Sequence, residues 1–88
     1  MKNSEFIKRY GIDNFKSIIE GVKDNLAVLY YNKEIPKYKI NKNKQVKFYL
    51  KERFITFDIA EVFYMSNREI ISIIKKMRKE VWYVTGEF

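Results

Sequence analysis

The chain contains no cysteine and no histidine. Disulfides, thiolate nucleophiles, imidazole bases and the usual ligands of zinc are excluded together, and most enzyme classes go with them. Glycine occurs three times and proline once, and no glycine-rich phosphate loop is present. No acidic residue is followed two positions later by lysine, so a common nuclease signature is missing, and the serines have no base to activate them. Nothing singles out a pair of carboxylates for acid-base work. The sequence therefore predicts a binding domain that is not an enzyme and uses no cofactor and no metal. Long apolar runs are missing as well. The longest spans Leu26 to Tyr31, too short for a bilayer, and Met1-Lys2-Asn3-Ser4-Glu5 lacks the apolar core of a signal peptide. The expectation is a cytoplasmic protein that does not engage membranes.

What the chain has in excess is positive charge. Eighteen Lys and Arg oppose eleven Asp and Glu, a net +7 within 88 residues, which is material for one domain over residues 1–88. A hydrophobic fraction of 47% with 17% aromatics is enough for a core and unlike a disordered tail. Charge this dense must lie on the surface, where its field favours a phosphate backbone, an anionic membrane or an acidic protein patch. It is unevenly spread: residues 33–57 hold eight basic and two acidic side chains, residues 1–32 five and four, and residues 58–88 five of each. The excess of lysine over arginine, with much Asn, Ile, Tyr and Phe, is the bias of an AT-rich coding sequence and suits a low-GC bacterium or one of its phages.

Phe6, Ile7, Tyr10, Phe15, Ile18, Ile19 and Val22 recur three and four apart with a break at Gly11. This spacing predicts helices over 4–10 and 13–23, with Ser4 and Asp13 as N-caps and Asp24-Asn25 ending the second. Leu26-Ala27-Val28-Leu29-Tyr30-Tyr31 reads as a strand. Residues 37–40 and 45–51 alternate, placing Tyr38, Ile40, Val46, Phe48 and Leu50 on one face and Lys37, Lys39, Lys47 and Lys51 on the other. Asn41-Lys42-Asn43-Lys44 joins them as a hairpin turn, and Pro36 suits the start of an edge strand. Val46, Tyr49, Leu50, Arg53, Phe54 and Phe57 also fit a helical stripe, so residues 45–51 remain open between strand and helix. Helices are expected from Asp58 to Tyr64 and from Asn67 to Lys79. Val81-Trp82-Tyr83-Val84-Thr85 reads as a closing strand ended by Gly86, with Trp82 plugging the core.

The segment from Thr56 to Lys75 resembles a bacterial or phage helix-turn-helix. Ala60 takes the place of the small residue over which the second helix crosses, Ile59, Phe63, Met65, Ile70 and Ile73 bracket that crossing, and Ser66 is placed to cap the second helix. Asp58-Ile59-Ala60-Glu61-Val62-Phe63, followed by Ile70, Ile73 and Lys75-Lys76-Met77, is similar to the phage regulatory proteins of the Rha type. The similarity covers about twenty residues, and the extension those proteins carry after the motif is not recognisable. Tyr64 departs from the pattern. It stands in the turn where glycine is commonest because the position often needs a left-handed backbone, at a cost on the order of 1 kcal/mol for a bulky residue.

The resemblance implies an α+β, winged-helix-like fold, a helix-turn-helix with a small antiparallel sheet, and double-stranded DNA as partner. Asn67 and Arg68 would read base edges, adenine and guanine respectively, with Ser66 and Ser72 supporting them or meeting phosphates. Lys75, Lys76, Arg78 and Lys79 suit phosphates, and equally the helix dipole and solvent, while Glu69 suits a cap partner. Lys37, Lys39, Lys42, Lys44, Lys47 and Lys51 form a basic ribbon, the wing, preceding the motif rather than following it. The same lysines would also keep an exposed edge strand from aggregating. The same isoleucines suit an ordinary amphipathic helical hairpin. Aromatics such as Tyr30, Tyr31, Tyr38, Tyr49, Trp82 and Tyr83 would serve single-stranded bases only if exposed on a basic sheet. The expected function is thus a small DNA-binding regulator, phage or mobile-element encoded, with a homodimer as one way to reach two half-sites. The alternative is a phage-encoded interaction module that acts on an acidic host protein.

Overall fold

The computed structural model describes the backbone of residues 1–86 and the side chains of residues 1–78. It is an α+β fold with the order α1 (Asn3–Tyr10), α2 (Ile12–Tyr31), β1 (Tyr38–Ile40), β2 (Gln45–Tyr49), β3 (Phe54–Asp58), α3 (Ile59–Phe63) and α4 (Asn67–Gly86). The strands form one antiparallel sheet in the order β1-β2-β3, a layout compatible with a winged-helix-like arrangement.

The break at Gly11 is real. Gly11 adopts φ 89°, a value that L-residues rarely take, so α1 ends there and α2 begins at once. Neither expected N-cap holds. The helices start earlier, after Lys2 and Gly11, and Ser4 and Asp13 lie inside their first turns. Asn3 does the local work instead. Its N–H donates to Asp58 Oδ2 at 2.9 Å, its Nδ2 donates to the Lys44 carbonyl at 2.7 Å, and its Oδ1 accepts the Ala60 N–H at 2.9 Å. One asparagine thereby ties the start of α1 to the β1–β2 turn and to the β3–α3 junction.

The strand expected over residues 26–31 is the last part of α2. Only Leu26 and Leu29 of that run are buried, in phase with Phe15, Ile18, Ile19 and Val22, whereas Val28, Tyr30 and Tyr31 are exposed. Three-residue burial is a helical stripe, and Asp24-Asn25 merely occupies its solvent edge. The helix stops at a Schellman cap: Lys33 is left-handed at φ 60°, the Glu34 N–H reaches the Leu29 carbonyl and the Lys33 N–H that of Tyr30.

Residues 45–49 are strand, and the helical alternative for them fails. Val46 and Phe48 are buried two apart, opposite Ile40 and Tyr38 on β1 and Phe57 and Ile55 on β3. β3 was not expected, although Ile55 and Phe57 point inward and Phe54 and Thr56 outward in plain alternation. In the hairpin turn Asn41 Oδ1 accepts the N–H groups of Asn43 and Gln45, and the left-handed position falls on Lys44 at φ 59° rather than on an asparagine.

The closing strand expected over residues 81–85 is also overturned, because α4 continues to Gly86. Extending an existing helix orders one residue per hydrogen bond, whereas a new strand must find a sheet edge, so the β-preference of valine and aromatics is overridden. The core-plug role expected of Trp82 lies outside the described side chains. The inner face of the sheet and the buried stripes of α2, α3 and α4 share one core around Leu26, Val46, Phe48, Ile59, Ala60 and Ile74.

Candidate nucleic-acid interface

α3 and α4 are joined by only three residues, Tyr64-Met65-Ser66. Tyr64 sits at φ −85°, ψ −3°, in the right-handed region, so this turn needs no glycine and the expected backbone cost does not arise. Ala60 is fully buried on α3, and α3 packs against α2. The start of α4 is a capping box. Ser66 Oγ accepts the Glu69 N–H and Glu69 Oε1 accepts the Ser66 N–H, each at 3.1 Å. Glu69 is therefore a cap partner, its charge held at the helix start.

Along α4, Ile70 and Ile74 face the core while Arg68, Ser72, Lys75 and Lys76 are all exposed. Their spacing of three and four makes a continuous polar edge. Asn67 is exposed as well, but a 100° turn separates it from Arg68, and its Oδ1 accepts a hydrogen bond of 2.7 Å from Nδ2 of Asn25 on α2. A paired contact to adenine uses both the oxygen and the amide of an asparagine. Asn67 must leave Asn25 to make one. The Lys79 side chain lies outside the described residues.

The lysines of residues 37–51 do not form one cluster. Lys42 and Lys44 occupy the β1–β2 turn, held beside the start of α1 through Asn3. Lys51 is exposed in the β2–β3 turn at the other end of a strand about 17 Å long. That second turn meets α4, since Arg53 Nη2 lies 3.1 Å from Met77 Sδ. Arg53, which the sequence reading left out of the site although it belongs to the basic stretch, thus joins the β2–β3 turn to the half of α4 that carries Lys75, Lys76 and Arg78. Lys37, Lys39 and Lys47 line the sheet face turned away from the core, with Lys39 and Lys47 directly opposite each other. Like charges so placed repel. Lys47 turns its ammonium over the Phe54 ring, 3.8 Å from the centroid and 5.5 Å from that of Tyr49, an exposed contact worth about 0.5–1 kcal/mol.

At the root of α3, Glu61 Oε1 accepts the Asp58 N–H at 2.9 Å, and Gln45 Nε2 donates to Asp58 Oδ1 at 3.0 Å. Burial pushes the Asp58 carboxyl up, but the Asn3 N–H, the Gln45 amide and the positive charges of Lys2 and the N-terminus outweigh it and hold it below the ordinary value of 3.8. Among the described residues no group of three or more carboxylates gathers to hold a metal, and no helix is long and apolar enough to cross a membrane. The chain has no significant match to a protein family model, a curated protein or a solved structure.

Proposed function

We propose that the protein binds double-stranded DNA through α3 and α4, as a small regulator of the phage or mobile-element kind. The carrying observation is the capped α4, with its exposed edge of Arg68, Ser72, Lys75 and Lys76 opposite a buried isoleucine stripe. Arg68 near the helix start would read guanine, because its planar fork matches two acceptors in the major groove. Lys75, Lys76 and Arg78, with Lys51 of the neighbouring turn, would meet phosphates. The wing in this reading is the β2–β3 turn tied to α4 by Arg53, and Lys42 and Lys44 lie outside it.

Electrophoretic shifts at several salt concentrations test the proposal. Binding should appear at about 50 mM salt and weaken linearly in log-log form as salt rises. No binding to any duplex at that salt would sink it. A second reading, a module acting on a host protein, is favoured by the exposed rings of Tyr10, Phe63 and Tyr64 gathered around the buried Phe6. A stoichiometric protein partner recovered from nuclease-treated lysate, and lost with Tyr64→Ala, would favour it over DNA.

A further inference from the structure

The outer face of the sheet is a second surface, turned away from the core that α2 and α4 help to form. Tyr49 and Phe54 stand directly opposite each other across β2 and β3, 37% and 56% exposed. Neither ring has another described aromatic ring packed on it. The next register pair along is Lys47 with Thr56, and Lys39 stands opposite Lys47 on β1. Lys37, whose carbonyl accepts the Tyr49 N–H, alternates onto the same face. Of the nearby carboxylates, Asp58 is buried at the far end and bound to Asn3 and Gln45, and Glu52 is exposed in the β2–β3 turn beside Lys51. Two exposed rings within a field of lysines are a mismatch for an acidic protein, which would pair with the lysines and leave the rings without a role. They match a polyanion that carries flat π-faces.

We infer that this face docks unpaired bases of single-stranded DNA, with Tyr49 and Phe54 as stacking platforms and Lys37, Lys39 and Lys47 on the phosphates. Lys47 covers the Phe54 ring in the free protein. A strand gives that ammonium a phosphate to move to and gives the ring a base, and base stacking is the stronger of the two ring contacts. The choice of DNA over RNA rests on reading α4 as a DNA helix. The surface itself does not, because α4 and the outer face share no residue.

Fluorescence anisotropy of the full chain with labelled oligo(dT), oligo(U) and a duplex of equal length at low salt tests the inference. Phe54→Ala and Tyr49→Ala should each weaken oligo(dT) binding about 5- to 100-fold while changing duplex binding less than about twofold, and Phe54→Trp should retain it. Arg68→Ala should leave oligo(dT) affinity unchanged whether or not the duplex binds. Both rings are exposed, so an unchanged circular dichroism spectrum and a melting temperature lowered by no more than about 8 °C, from loss of the Lys47 contact, separate binding loss from unfolding. Four results would overturn the inference. They are no binding of oligo(dT), binding that falls with Lys47→Ala but not with either ring removed, oligo(U) bound more than tenfold tighter, and Phe54→Ala altering the sedimentation of the free protein.

Discussion

Asn67 is already half engaged before any ligand arrives, because Asn25 holds its carbonyl oxygen. Asn25→Ala frees both polar atoms. The expected outcome is a changed preference at the one base pair facing Asn67, with stability altered by less than about 0.5 kcal/mol, since an exposed hydrogen bond contributes little. Selection of preferred sites from a random pool, with denaturation alongside, checks this. Arg68→Ala should relax preference by about 1–3 kcal/mol at its own position, whereas Lys75→Ala should weaken all duplexes alike and lower the salt slope by about one. Equal effects from both would count against α4 as the reading helix. Asp58 belongs to the same scale. Its folded pKa lies below its unfolded value, so its contribution is present above the unfolded pKa near 3.8 and is lost as pH falls through the lower folded value. Asp58→Ala should cost about 1–3 kcal/mol near neutral pH, by leaving the Asn3 N–H and the Gln45 amide without their acceptor. The gap to wild type should narrow in urea melts as pH is taken progressively below the ordinary carboxylate value of 3.8.

Among the elements, the hairpin was the most legible, since Tyr38, Ile40, Val46 and Phe48 alternate with lysines and a turn rich in asparagine divides them. Its strain sits at Lys44, whose left-handed backbone is where glycine is preferred. Lys44→Gly should raise stability by up to about 1 kcal/mol, read from the urea midpoint, and leave duplex affinity nearly unchanged because Lys44 lies at the far end of the sheet from Arg53 and Met77. A tenfold loss of duplex affinity would return the β1–β2 turn to the interface. Helix 26–31 was misread and strand 54–58 was not expected. The apolar run from Leu26 to Tyr31 carries both periods, Phe54 and Phe57 also fit a helical stripe with Val46 and Leu50, and in each case the neighbours decide which period is used. Leu26 and Leu29 continue the stripe of α2, while Ile55 and Phe57 find Phe48 and Val46 already waiting on β2.

For the molecule as a whole, the buried face of α4 and the sheet interior form one cooperative unit. Ile74, 1% exposed in the core that also holds Val46 and Phe48, should cost about 2–5 kcal/mol on Ile74→Ala, a large part of the stability of a domain this size. Thermal melting should show it as a drop in a single transition. Composition and order along the chain were sufficient for the absence of cysteine and histidine chemistry, the concentration of positive charge in residues 33–57, the hairpin, the short α3–α4 turn and the Ser66 cap, since each depends on residues close in sequence. Only the tertiary structure decided that Arg53 adjoins Met77, that Asn25 holds Asn67, that Lys42 and Lys44 stand apart from Lys51, and that Tyr49 and Phe54 share an open face with Lys47. Those relations join residues up to 42 positions apart in the chain, and they are set by strand register and helix packing, which no local pattern specifies.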